Sequence, residues 1–474
     1  MRRGLILAGT LALAACAGGP PPEVATPTPV LPPEFLYAPE APTGTALAEL
    51  LPEADPGFDT LAAQALAGSP TLAEALARID QARAGADRAG AERLPSLGAN
   101  ASVTGQRTNP AQFGASLPPG VAIDTERVSY AANLTARWDP DIFGRLRAQE
   151  RAALARVDAA TASSLAVRNA LVAEIAASVI DWRTLDARQA AIEEDIAAAE
   201  ELARLAGVRE EAGIAPGFDR VRAASAADAS RSRLAALASE RARLTGRLVT
   251  LTAQGAAQVR SALALDAPQP ALPEPPVALP STLLANRPDV LAAAATLAAE
   301  DAELAATARR RFPVFDLSAV IGLLAFSPAD LFDEDSLVGT LAASVAGPLF
   351  DFGRIEAEID GAAAEKRAAF QSYRGAVYTA LGDAEAAYGL VAAADRELAA
   401  AQAEAASLQR AASLAETRQK AGLADFLTVL EARRAADASG ERAAAALGRA
   451  QRARVVLWQA LGGEAQPTTR STSQ

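Results

Sequence analysis

The chain has 474 residues, 57 acidic and 45 basic side chains for a formal net charge of −12, no histidine and one cysteine. It therefore lacks the side chains for a Ser/His/Asp triad, a Cys/His dyad or a zinc site, and no enzyme activity, metal or cofactor is expected beyond carboxylate-pair chemistry, against which the scattering of acids along helical runs argues. The acidic balance speaks against nucleic-acid binding, and 4% aromatic content beside abundant alanine suggests helices packed closely through small side chains.

The N-terminus comes first in chain order. Arg2 and Arg3 precede an apolar stretch that ends in Leu13, Ala14, Ala15 and Cys16, which reads as a signal peptide over 1–15 followed by a lipobox. The pattern resembles that of bacterial lipoproteins and implies cleavage before Cys16, with acyl chains such as palmitate on that residue; the mature chain would then carry about −14 charges once Arg2 and Arg3 are gone. Ala17, in place of Asp, favours the outer membrane in that class. An ordinary signal peptide with an incidental cysteine is the alternative. Residues 16–56 are dense in proline, including Pro20 to Pro22, and read as an extended tether.

Two copies of one pattern follow, a first repeat over 57–266 and a second over 281–465, joined by a proline-dense linker at 267–280. The first opens with a helical region from Phe58 to Arg93, interrupted near Pro70; the second opens with a helix from about Ser281 to Arg311. Each copy then has two alternating segments, 96–107 and 127–138 in the first and 314–325 and 337–350 in the second, and a long helical hairpin, 144–258 and 353–461. Pro95 to Gly144 spans 49 residues and Pro313 to Gly353 spans 40, so a nine-residue insertion separates the copies; beyond it the offset holds at 209, setting Ala212 to Ala215 against Ala421 to Ala424. A period this long indicates a duplicated domain half. Residues 466–474 form a polar tail.

The helical runs are about 65 residues each and would reach on the order of 100 Å. Leu171, Ile175, Val179, Trp182, Leu185, Ile192 and Ile196 mark a packing seam. A turn at Gly213 to Pro216 or at Gly422 breaks each run before a shorter return helix. On periodicity alone, a dimeric coiled coil remains open. The alternating segments point elsewhere: Leu97, Ala99, Ala101 and Val103 oppose Ser96, Asn100, Ser102 and Thr104, and Val128, Tyr130, Ala132, Leu134, Ala136 and Trp138 oppose Ser129, Asn133, Thr135 and Arg137. Strands of this length suit a transmembrane barrel, or a soluble sheet resting on a core. No apolar run near twenty residues is evident in the mature chain, so a membrane crossing falls to the strands, and four are too few to close a barrel without oligomerisation. Trp138, Phe143, Phe350 and Phe352 stand at strand ends, where an interface belt would sit. The tip acids Asp330, Asp333, Glu334 and Asp335 suit solvation or a divalent ion.

The run Leu283 Leu284 Ala285 Asn286 Arg287 Pro288 Asp289 Val290, then Phe312 Pro313, then Gly347 to Arg354, and the segment Ala421 to Ala432 together resemble the TolC-like outer-membrane efflux factors, in particular their lipoprotein branch. The resemblance implies a mainly α fold with a transmembrane β-barrel portion: a homotrimer whose protomers give four strands each to a twelve-stranded barrel continued by a long α-helical barrel. It implies an antibiotic or other small-molecule exit duct that docks onto a periplasmic adaptor (membrane fusion) protein joined to an inner-membrane RND transporter. Type I protein secretion or heavy-metal export is the same-architecture alternative, and a coiled-coil structural lipoprotein the different-class one. The turns Gly213, Ile214, Ala215, Pro216 and Gly422, Leu423, Ala424, Asp425 match the adaptor-facing tips, although a tight turn also needs glycine for structural reasons. Asp219, Arg222, Thr428 and Glu431 fall at the periplasmic aperture. Thr428 departs from the Asp of some members, and Arg222 is expected to pair with Glu431.

Overall fold

The computed structural model describes residues 23–41, 43–109, 126–214, 216–267 and 272–463; Cys16 with the signal segment, Ala215 and the polar tail lie outside the described residues. In chain order the helices are α1 Pro56–Gly68, α2 Pro70–Ala91, α3 Arg145–Glu211, α4 Gly217–Thr252, α5 Ala256–Leu263, α6 Pro280–Asn286, α7 Pro288–Ala308, α8 Arg354–Lys420 and α9 Phe426–Ala460. The strands are β1 Ser96–Arg107, β2 Glu126–Trp138, β3 Val314–Ala325 and β4 Leu337–Ala346. Both expected hairpins of strands and both 67-residue runs, α3 and α8, are present.

Three boundaries differ from expectation, each for a local reason. The first return helix is broken: α4 stops at Thr252, Ala253 turns left-handed at φ 54°, and Thr252 Oγ1 donates to the Leu248 carbonyl and accepts from Gln254 N–H before α5 begins. The helix opening the second repeat is split at Arg287, because the residue before Pro288 is driven into extended backbone, here ψ 120°. Strand β4 ends at Ala346, four residues early, since Pro348 has no N–H for a ladder and Gly347 lies so close to Pro313 that a Cβ there would approach within 2.9 Å.

The described residues form two compact units, those within Met1–Pro27, Ile79–Ala159 and Ala294–Ser372, and those within Thr28–Arg78, Ala160–Ala293 and Tyr373–Gln474. The first holds the sheet, all antiparallel in the order β1-β2-β3-β4. It also holds a small cluster of Leu304, Ala308, Ile355, Ile359, Ala362 and Ala363. The second holds the main core, where Leu61, Ile175, Val179, Leu248, Tyr388 and Leu457 are fully buried or nearly so.

Two expectations need correcting. The proline-dense segment before residue 56 carries a short 3-10 helix at Leu47–Leu50 and does not hang free from Glu23 onward: Phe35 is 4% exposed and meets Tyr388 in a tilted ring pair at 5.6 Å, and Leu36 N–H donates to Glu385. An apolar helical stretch also exists. A window of 18 residues in α3 has mean hydropathy 1.4, and 56% of it is buried inside the protein. The same helix sends Leu171, Ile175, Ala176 and Val179 into the core, which accounts for its apolarity without a membrane.

Candidate functional site

The sheet is built from two-residue periodicity carried in register across four strands. Leu97 pairs with Ala136, Ala99 with Leu134 and Val103 with Tyr130; Leu134 then pairs with Ile321 and Ala132 with Leu323; Ala319 in turn pairs with Leu341 and Phe315 with Val345. One face is therefore apolar from edge to edge. The other carries Asn100 against Asn133, Ser102, Thr135, Ser318 and Thr340. In a soluble sheet the apolar face would rest on a core, yet Leu97 is 84% exposed, Leu134 61% and Leu341 83%. Among the described residues of one chain both edges, β1 and β4, lack a strand partner as well. An apolar face open to its surroundings, a polar opposite face and two free edges are the requirements of a barrel wall in lipid, where only closure satisfies the edge N–H and C=O groups.

Aromatic side chains gather where strands meet helices, but not as a single cluster. Phe143 stacks on Phe312 at 4.8 Å and meets Phe315 at 6.2 Å, whereas Phe350 and Phe352 form their own edge-to-face pair at 4.5 Å. Trp138 Nε1 donates to the Arg93 carbonyl at 3.0 Å.

Within the second unit, the helical hairpins turn by the same device twice. Gly213 has φ 70° and Gly422 φ 75°. Ile214 N–H reaches back to the Arg209 carbonyl and Leu423 N–H to that of Arg418, each closing a Schellman turn. The two ends then meet: Phe426 and Leu430 of α9 pack with Ala206 of α3 and Ala223 of α4. Asp425, expected at the tip surface, is the N-cap of α9, accepting from Thr428 N–H at 2.8 Å and from the Thr428 hydroxyl. These bonds from Thr428 hold the Asp425 carboxyl below its usual range.

The four residues expected at the aperture lie in the first turns after these tips. Asp219 and Arg222 are half-exposed, Thr428 and Glu431 exposed. Thr428 is occupied by Asp425. The Arg222 guanidinium lies 5.4 Å over the Phe218 ring, and among the described residues of one chain the expected Arg222–Glu431 ion pair is not formed. Close to the tips, Arg220 of α4 pairs instead with Glu210 of α3 at 2.8 Å, and Arg433 of α9 with Glu416 of α8.

A polar cluster that the sequence reading missed lies along the same hairpins. Asp195 of α3, 8% exposed, accepts from the Ser230 hydroxyl and from Arg233 Nη2 at 2.7 Å, both on α4; Arg233 also bonds Glu441 of α9. Beside them, burial pushes the Asp437 carboxyl up to about 7, with help from its hydrogen bond to Asp195 and from repulsion by Asp195 and Glu194, while Arg433 opposes. The signal was present: Asp195 stands three residues after Ile192 on the otherwise apolar seam.

Comparison with known proteins agrees with this architecture. The profile of the outer membrane efflux protein family matches residues 61–254 and 279–463. The pyoverdine export outer membrane protein OpmQ of Pseudomonas aeruginosa is 30% identical over 411 residues, 86% of this chain and 85% of its own length. The outer membrane protein OprJ of the same species is 28% identical over 410 residues, 84% of this chain and 82% of its own. Among solved structures, the outer-membrane channel OprN superposes with a TM-score of 0.82 at 26% identity, covering 94% of this chain and 100% of that one. VceC of Vibrio cholerae superposes with 0.75 at 26% identity, covering 86% and 96%. The chain belongs to the outer membrane efflux protein family.

Proposed function

We propose that this outer-membrane efflux protein is the passive exit duct of a tripartite system, a homotrimer that receives small molecules through a periplasmic adaptor from an inner-membrane RND-type pump. The observation that carries this reading is the four-stranded sheet with an open apolar face and two free edges, which closes only with other copies; three copies would give twelve strands. Relatives named for pyoverdine export and for toluene and solvent efflux support small-molecule cargo. A coiled-coil structural lipoprotein would have no use for such a sheet. Nothing favours protein secretion or metal export over this reading. Acyl chains on Cys16 would add to the barrel's hold on the outer membrane.

The tips around Gly213 and Gly422 are the proposed adaptor contacts, and Asp219 and Glu431 the acids at the aperture. Since Arg222 does not reach Glu431 within a chain, a link between them would join neighbouring copies, and three such links would act together although each exposed pair is worth under about 1 kcal/mol. Planar-bilayer recordings test the assignment. Glu431→Ala and Arg222→Ala should each raise single-channel conductance and antibiotic leakage through whole cells; unchanged conductance in both variants would remove these residues from the gate.

A further inference from the structure

We propose that the corner where β1 and β2 of the first repeat join the helices binds the phosphate of an anionic phospholipid in the periplasmic leaflet around the barrel. The proposal rests on the barrel's place in the outer membrane and is independent of the gate and pump assignments. A cavity of about 530 Å³ opens here, lined by Arg93, Phe143, Arg147, Glu150, Arg151 and Arg309 among others. Four guanidinium groups share it with one carboxylate, and that carboxylate is engaged by Arg93. Arg309 spends Nε on the Phe143 carbonyl at 2.9 Å and Nη1 on the Ala305 carbonyl at 2.7 Å, so its position is fixed while its charge stays uncancelled. Arg147 and Arg151, one turn apart and both exposed, have no carboxylate partner among the described residues. The start of α3 is itself capped by the Asp141 carboxylate, which accepts from Leu146 and Arg147 N–H at 2.9 Å, leaving an anion to be met by side chains.

A merely solvated basic face would be expected in both repeats. The second repeat has the opposite charge: 209 positions on, Glu356 and Asp360 stand where the first has Arg147 and Arg151. Arg311, which precedes Phe312 Pro313 as Arg93 precedes Leu94 Pro95, is answered there by Glu356 at 2.6 Å. Duplicated corners that have inverted their charge hold a net positive site in one copy only, in a chain of net charge −12. The surroundings fit a lipid rather than a free ion. Leu94 is 66% exposed and Ile142 61%, and Trp138 stands at the end of β2, so apolar side chains for acyl chains and an interface aromatic lie beside the cations. Guanidinium forks match the oxygens of a phosphodiester, and the headgroup level is where a barrel strand hands over to its periplasmic element.

The test is native mass spectrometry of the full-length protein released from dodecyl maltoside, with dioleoyl phosphatidylglycerol or dioleoyl phosphatidylcholine added at equal concentration. Wild type should retain phosphatidylglycerol roughly 25-fold better, about fivefold for each free arginine. Arg147→Gln with Arg151→Gln should abolish the preference, and Arg147→Lys with Arg151→Lys should keep most of it. Equal retention of the two lipids by wild type, which involves no variant, overturns the proposal. So does a preference unchanged in the double Gln variant, and so does displacement of phosphatidylglycerol by millimolar inorganic phosphate, which would mark a site for the free anion.

Discussion

Arg287 lies in the Asn286 Arg287 Pro288 Asp289 run that identified the family, and its work is structural. Its side chain is 9% exposed, pairs with Asp289 at 2.7 Å and Asp383 at 2.9 Å, and donates to the Ala460 carbonyl at 3.0 Å, so one guanidinium clamps α6 and α7 to α8 and α9. Burial alone would raise the Asp289 carboxyl, but Arg287 and the Val290 N–H outweigh it and hold it below the ordinary value. The contribution is therefore complete above the unfolded pKa and is lost as pH falls through the folded one. Arg287→Ala leaves two half-exposed carboxylates and the Ala460 carbonyl without their partner and should cost about 1–2 kcal/mol, seen as a lower denaturant midpoint for loss of helicity. The motif was legible in the sequence; the role was not, because Asp383 and Ala460 lie 96 and 173 residues away. Tyr388 is a second case, its hydroxyl donating to the Pro276 carbonyl at 2.7 Å and accepting from Ala278 N–H at 3.2 Å, so that it fastens the linker between the repeats to α8. Tyr388→Phe should cost roughly 1 kcal/mol in the same measurement.

At the scale of elements, periodicity gave the strands and long helices because each rule is local, two residues for a sheet face and three to four for a helix seam. What it could not give was contact between hairpins, and there the Asp195, Ser230, Arg233, Asp437 and Glu441 cluster decides how α3, α4 and α9 hold together. Asp437 titrates at about 7, well above an unfolded aspartate. A carboxyl raised on folding stabilises fully below its unfolded pKa, and that stability is lost as pH rises through the folded value. The contact between the repeats should therefore loosen between about pH 4 and pH 7 and stay weakened above it. The group is partly solvated, so the effect is discounted to roughly 1 kcal/mol. Asp437→Asn removes the titration: thermal stability at pH 8 should rise relative to wild type, the difference should shrink toward pH 5, and a melting series across that range checks it.

For the whole molecule, duplication explains why one chain supplies two strand hairpins and two helical hairpins, and divergence between the copies falls at the corner charges and at the tips. The sequence demanded more than one copy, since four strands cannot close; the proposed number three rests on what the family resemblance implies rather than on any residue. Closure makes a prediction that separates a lipid-facing wall from a soluble sheet, because adjacent residues on β4 point to opposite sides. Leu341 lies mid-strand on the apolar face, 83% exposed, and Thr340 beside it on the polar face pairs with Val320. In a soluble sheet, arginine at either exposed position would be tolerated alike. In a barrel, Leu341→Arg puts a charge into hydrocarbon at about 2–4 kcal/mol in each copy, while Thr340→Arg places it in the aqueous lumen. Leu341→Arg should therefore lower the yield of heat-resistant oligomer extracted from outer membranes, whereas Thr340→Arg should assemble normally and shift the channel toward anions in bilayer recordings. Equal assembly of the two variants with unchanged ion selectivity would mean that this face does not meet lipid.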